Sequence, residues 1–263
     1  MTKRFDAVLF DAGGIFVIPD PVATGMAISP FGGSSDNNTL VRCHYAGMEA
    51  LDAVASKRTD RSIDKITWDV YRRAYVQAAG VRDGEVDAAA QAMRRLFSPY
   101  YWRFPMLESV AALDKLYRSK VPIGVVSNAS GQIEQTLANL CICQVGVGAG
   151  VPVSIVTDSH VIGYAKPDPR IFGDAIAALG IAPERIAYVG DSYVNDVGGA
   201  HAAGLVPLLY DPFDDHASYD CERRRRRSAA SGDTAASSDE VEHLVQRVQS
   251  LAVVTCVIVE RVV

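Results

Sequence analysis

The sequence predicts an α/β fold: a parallel sheet with helices on both faces, interrupted by one all-helical insertion. Three observations carry this expectation. Short continuous apolar runs end in turn residues, as strands buried on both faces do. Stretches of helical periodicity separate most of these runs. One long stretch, from about residue 18 to 104, has helical patterns and no clear strand.

Taken in order, Ala7-Val8-Leu9-Phe10 is the first apolar run and stops at Asp11-Ala12-Gly13-Gly14. The polar segment Gly32 to Asn38 then leads into three helical candidates, at about Thr39 to Ser56, Ile63 to Ala79 and Asp83 to Phe97. From Met106 to Tyr117, Leu107, Val110, Leu113 and Leu116 recur every third residue, the stripe of a helix packed on one face. The remaining strand candidates are Ile123 to Ser127, Val153 to Val156, Ile186 to Val189 and Val206 to Tyr210. Helices are expected between them at Gln132 to Leu140, Pro169 to Leu179 and Val194 to Ala203, with Gly180 as a C-terminal cap. After Tyr210 the pattern changes. Residues 216 to 238, with the run Arg223 to Arg227, read as a flexible surface segment. Val241 to Leu251 reads as a terminal helix, and Val253 to Val259 as an added edge strand or a poorly packed end. The expected organisation is a Rossmann-like core at 1–17 and 105–215, a helical cap at 18–104, and a tail at 216–263.

Composition narrows the function. Of 263 residues, 49% are hydrophobic and 22% charged, ordinary for a globular chain that buries a large core. A net charge of −5 argues against nucleic acid as the main partner, because phosphate backbones attract basic faces. No run approaches the length of a membrane span, and Asp6 interrupts any apolar signal segment at the start. The five cysteines, odd in number and irregular in spacing, read as reduced thiols, so a cytoplasmic protein is expected.

Ligands of open α/β sheets bind beyond the carboxyl ends of the strands. At or beyond those ends stand Asp11, then Ser127-Asn128, then, ten residues after the third run, Lys166 before Pro167, then Asp191-Ser192 with Asn195-Asp196 just beyond. Converging carboxylates need a cation, and Mg²⁺ suits aspartate oxygens with open water positions. The lysine adds positive charge, and the Ser127 hydroxyl with the amides after it can hold anionic oxygens. Such a set suits a phosphate ester. Each residue alone admits a plainer role. Asp11 and Asp196 are possible helix caps, Ser127-Asn128 a turn, Lys166 a surface lysine, and Trp102 packing at a hinge, while His44 and Tyr45, in a helical part of the insertion, either face substrate or belong to the insertion's own core or surface.

Four segments together are more specific: Val8-Leu9-Phe10-Asp11-Ala12-Gly13-Gly14, Val125-Val126-Ser127-Asn128, Ala165-Lys166-Pro167-Asp168-Pro169, and Tyr188-Val189-Gly190-Asp191-Ser192-Tyr193-Val194-Asn195-Asp196. In this order the chain resembles the haloacid dehalogenase superfamily, in the subfamily with a helical cap inserted after the first motif. The resemblance spans residues 5 to 204. It implies that Asp11 is nucleophile and Mg²⁺ ligand, that the Gly13 carbonyl and Asp191 are further ligands, and that Ser127 holds the phosphoryl group. Lys166 would neutralise Asp11 and the bound anion, Asp196 would orient Lys166 or a metal-bound water, and Asn128 would face substrate.

One departure stands out. The family's phosphatases usually carry a second Asp two residues after the nucleophile, as the acid that protonates the leaving group. Here that place is Gly13. The leading expectation is a Mg²⁺-dependent phosphatase of a small phosphorylated metabolite, either slow, limited to good leaving groups, or given its proton by the cap. The alternatives are a metal-independent 2-haloacid dehalogenase, ranked second because Gly13 supplies no aromatic wall, and a binding or regulatory protein that has lost turnover.

Overall fold

The computed structural model describes residues 5–57, 65–214 and 246–259. The strands, in chain order, are β1 (Ala7–Phe10), β2 (Val17–Pro19), β3 (Trp102–Pro105), β4 (Ile123–Ser127), β5 (Cys143–Val145), β6 (Val151–Val153), β7 (Ile155–Asp158), β8 (Ile186–Gly190), β9 (Val206–Tyr210) and β10 (Gln246–Val248). Six of them form one parallel sheet in the order β10-β9-β8-β1-β4-β7.

β1 lies at the centre, paired with β4 on one side and β8 on the other. Its four residues are all apolar because both faces are covered. Val8 and Phe10 enter one core with Val125 and Val189, while Ala7 and Leu9 enter the opposite core with Val126 and Tyr188. The register sets Phe10 beside both Val125 and Val189. Asp11, Ser127 and Asp191 follow one or two residues later, so they reach the same edge of the sheet.

Among the described residues, four α-helices lie between β2 and β3: α1 (Pro21–Ile28), α2 (Asn37–Ala55), α3 (Lys65–Ala78) and α4 (Val86–Arg94). They enclose a core of their own around Leu40, Leu51, Tyr71, Tyr75, Val76 and Met93, which makes this insertion a helical cap. β2 and β3 pair antiparallel as the two-way connection between cap and sheet. Asp20 caps α1 through the Val22 and Ala23 amides and pairs with Arg103 across that ribbon.

Several local expectations change. The insertion is not purely helical, since β2 and β3 are strands too short to show a period. α1 was not anticipated, although Asp20-Pro21 is an N-terminal signal; its sequence is apolar on nearly every side and has no stripe to read. The run Val153 to Val156 is divided, with β6 ending at Val153 and β7 starting at Ile155. In the tail both expectations change. β10 lies within the expected helix Val241 to Leu251, and Val253 to Val259, expected as an added edge strand or a poorly packed end, belongs to a helix (Leu251–Val259). This last described helix packs on α5 (Leu107–Arg118) and buries Leu251, Val254 and Ile258 in the main core. That one-sided burial outweighs the strand preference of its β-branched residues. The segment 216–238 and the arginine run lie outside the described residues. No described helix is long and apolar enough to cross a membrane.

Candidate active site

All seven residues expected at the site, Asp11, Gly13, Ser127, Asn128, Lys166, Asp191 and Asp196, line one cavity of about 910 Å³ between sheet edge and cap. Lys166 is its electrostatic centre. Its ammonium lies 2.9 Å from Asp11 Oδ1 and 2.6 Å from Asp196 Oδ1, and donates to the Tyr188 hydroxyl at 2.8 Å. Asn128 fixes the lysine's backbone from both sides: its amide donates to the Lys166 carbonyl at 3.0 Å, and its Oδ1 accepts the Lys166 N–H at 2.7 Å. Asp196 Oδ2 accepts the Ser192 amide at 2.9 Å, while the cap of the helical turn after β8 is Ser192 itself, whose hydroxyl accepts the Asn195 amide.

Asp11, Asp191 and Asp196 are all buried, and one carboxylate oxygen from each lies within 4.8 Å of the others. Burial, followed by repulsion from Asp196 and Asp191, raises Asp11 to about 7 against the pull of Lys166. Burial also acts to lower the lysine, but Asp11 and Asp196 outweigh it and hold Lys166 above its ordinary value. Three carboxylates around one ammonium leave an excess of buried negative charge. The donors are hard oxygens, so the residues present fit a divalent cation such as Mg²⁺.

Two glycines shape the nucleophile's loop. Gly14 has φ +70°, and a β-carbon there would lie 1.9 Å from Asp191 Oδ2, so only glycine lets Asp191 approach this backbone. Gly13 faces Trp102, and a β-carbon there would lie 3.3 Å from the indole Cζ3. The aromatic wall that residue 13 cannot supply thus comes from β3.

The cap contributes residues that strand-end reasoning alone passes over. His44 is buried on α2, with Nε2 3.1 Å from Asp191 Oδ2 and Nδ1 2.9 Å from the Tyr71 hydroxyl. Burial pushes it down to about 3 despite the pull of Asp11, so the ring is neutral. Tyr71 then donates to Nδ1, and Nε2–H donates to Asp191. Tyr45 donates to the Gly14 carbonyl at 2.7 Å. Asp52, also on α2, is fully buried against the turn that follows Asp191. His44 and Asp52 are eight residues apart, with Met48 between them, and therefore share one helix face. Two polar residues on an otherwise apolar face were the signal available in the sequence.

A family model for haloacid dehalogenase-like hydrolases matches residues 5–204. The chain is 31% identical over 179 residues to a phosphoserine phosphatase of Thermus thermophilus, covering 66% of this chain and 64% of that protein. It is 34% identical over 144 residues to haloacid dehalogenase-like hydrolase domain-containing protein 3 of Bos taurus, covering 54% and 53%. The matched stretches thus span between half and two thirds of these relatives' own lengths. Among solved structures, a dehalogenase superposes with a TM-score of 0.55 at 16% identity, covering 99% of this chain and 100% of that one. The magnesium-bound HAD-hydrolase YfnB of Bacillus subtilis superposes with a TM-score of 0.55 at 13% identity, covering 97% and 99%. At these identities the likeness is one of fold.

Proposed function

The chain belongs to the haloacid dehalogenase-like hydrolase family, and from that premise we propose that it is a Mg²⁺-dependent phosphatase of a small phosphorylated metabolite, working through a phosphorylated Asp11. The observation that supports this most is the arrangement of Lys166 between Asp11 and Asp196, with Asp191 facing them. Both fixed contacts of the Asp11 carboxylate, from Lys166 and from the Ala12 amide at 2.7 Å, fall on Oδ1. Oδ2 is therefore the oxygen offered to phosphorus. The Ser127 hydroxyl, at the end of β4, holds the phosphoryl oxygens with the amides that follow it, and Lys166 offsets their charge. Asn128 positions Lys166 and borders the substrate. Asp11, the Gly13 carbonyl and Asp191, with Asp196 behind them, would hold Mg²⁺, which when bound supplies charge stabilisation to the transferring phosphoryl group. The cap closes over this edge and excludes water from the covalent step. The test is Mg²⁺-dependent release of inorganic phosphate from a broad panel of phosphoesters. Asp11→Asn is expected to abolish it, and equal inertness of both proteins would overturn the reading.

A second reading is favoured by one observation, the indole of Trp102 over Gly13. It gives the site the aromatic wall suited to a 2-haloacid. Halide release in the presence of a chelator would select this reading.

A further inference from the structure

The β-carbon that Gly13 lacks would lie 3.9 Å from Asp11 Oδ2 and in contact with Trp102. The indole therefore covers, beside the nucleophile, the space an acidic side chain at residue 13 would enter. Among the described residues, the other proton carriers lining the cavity are engaged. His44 is bonded at both nitrogens, Lys166 is held by three partners, and Asp168 is paired with Arg170. In place of an acid, the cap side presents Met48, Leu51, Trp68, Phe97 and Trp102. The rings brace one another edge-on. Trp68 lies 5.8 Å from Phe97 at 70° and 6.2 Å from Trp102 at 76°, and His44 lies 5.2 Å from Trp102 at 86°. Such a wall favours a flat apolar group over a sugar or a charged metabolite.

Resting on the phosphatase reading, we propose that the substrates are aryl phosphate monoesters, whose ring lies against Trp102, Trp68 and Phe97 and whose phenolate departs without a proton from the protein. In the first step Asp11 Oδ2 bonds to phosphorus as the bond from phosphorus to the aryl oxygen breaks. The electron pair leaves on the phenolate, which takes its proton from solvent. In the second step water bonds to the phosphorus of the aspartyl phosphate and gives up its proton to solvent. The bond to Asp11 breaks, releasing inorganic phosphate and restoring the carboxylate. A phenolate spreads its charge into the ring, whereas an alkoxide does not, so the lack of an acid costs aryl esters least.

Two measurements on the whole chain test this. The first compares kcat/KM across substituted phenyl phosphates and glycerol 3-phosphate, all with Mg²⁺. A steep fall with leaving-group basicity is expected, with the alkyl ester about 100- to 10,000-fold slower than nitrophenyl phosphate, the range a general acid normally supplies. Alkyl esters turned over within about tenfold of aryl esters would overturn the inference and leave the phosphatase reading standing. Turnover of no phosphoester would instead remove that reading. The second uses the chain's two tryptophans, both of which line this cavity. Phenyl phosphate is expected to shift their emission in the Asp11→Asn protein, while inorganic phosphate alone leaves it unchanged. Equal responses to the two, or none, would show that the ring does not rest on the indoles.

Discussion

Asp52 of the cap and Ser192 of the core are joined by a buried hydrogen bond, the Ser192 hydroxyl donating to Asp52 Oδ1 at 2.7 Å. The same carboxylate accepts the Tyr193 amide at 2.6 Å and the Val194 amide at 3.1 Å. This turn begins one residue after Asp191, and α2 also carries His44, which holds the Asp191 side chain. One helix of the cap therefore holds both a proposed metal ligand and the backbone beyond it.

Asp52→Ala would remove the acceptor that three donors share, two of them backbone amides. Each buried unsatisfied group costs roughly 1–3 kcal/mol, so a loss on the order of 3 kcal/mol or more is expected. Urea denaturation measures it, and Mg²⁺ affinity by calorimetry should fall in parallel. Asp52→Asn keeps one acceptor oxygen and should lose less. An unchanged midpoint in the alanine variant would show that the turn does not depend on the cap.

Lys166→Met removes the cation between two buried carboxylates. Breaking a buried ion pair from one side typically costs about 3–5 kcal/mol. The expected signature is a large drop in melting temperature in chelator that Mg²⁺ partly restores. A drop of the same size under both conditions would separate Lys166 electrostatically from the cation site.

The raised value of Asp11, about 7 against an ordinary 3.8, links metal binding to pH. Between those values the folded, metal-free protein keeps a proton that the unfolded chain releases. The stability this group contributes is full at low pH and is lost as pH rises through about 7. Mg²⁺ takes the ionised form, so its affinity should be level above pH 7 and fall by up to about tenfold per unit below it, with release of one proton. Calorimetry at pH 6 and pH 8, in buffers of different ionisation enthalpy, reads both quantities. Equal affinity at the two pH values would contradict a protonated Asp11.

Gly13→Asp alone should add little, because its β-carbon arrives 3.3 Å from Trp102. Combined with Trp102→Ala, the new carboxyl has room beside Asp11. Alkyl phosphate turnover should then rise by about 100-fold, and the dependence on leaving group should flatten. Leaving-group plots for the two single variants and the double variant make the comparison.

The central strands and their terminal residues were legible because β1, β4, β8 and β9 are buried on both faces and so read as unbroken apolar runs. Asp11, Ser127 and Asp191 follow from that, since chemistry on a parallel sheet collects at the strand ends, whereas Lys166 lies eight residues beyond β7 and was read from its segment with Pro167. What was illegible depended on distant partners. Trp102 is defined by its contact with Gly13, and Asp52 by a turn 140 residues further on. The change in the tail has the same origin. Val253 to Val259 is apolar enough to read as an edge strand or a poorly packed end, and the surface offered by α5 makes it part of a helix.

β10 closes the sheet beyond β9, pairing Gln246 to Val248 with Leu208 to Tyr210, and Arg247 is tied to Asp214. Three residues thus shield an otherwise open row of peptide groups on an apolar strand. A protein shortened before residue 246 would bare that row and withdraw Leu251, Val254 and Ile258 from beneath it. Its sheet would then offer a template onto which a strand from another molecule can add, so the far end of this chain guards the fold against self-association.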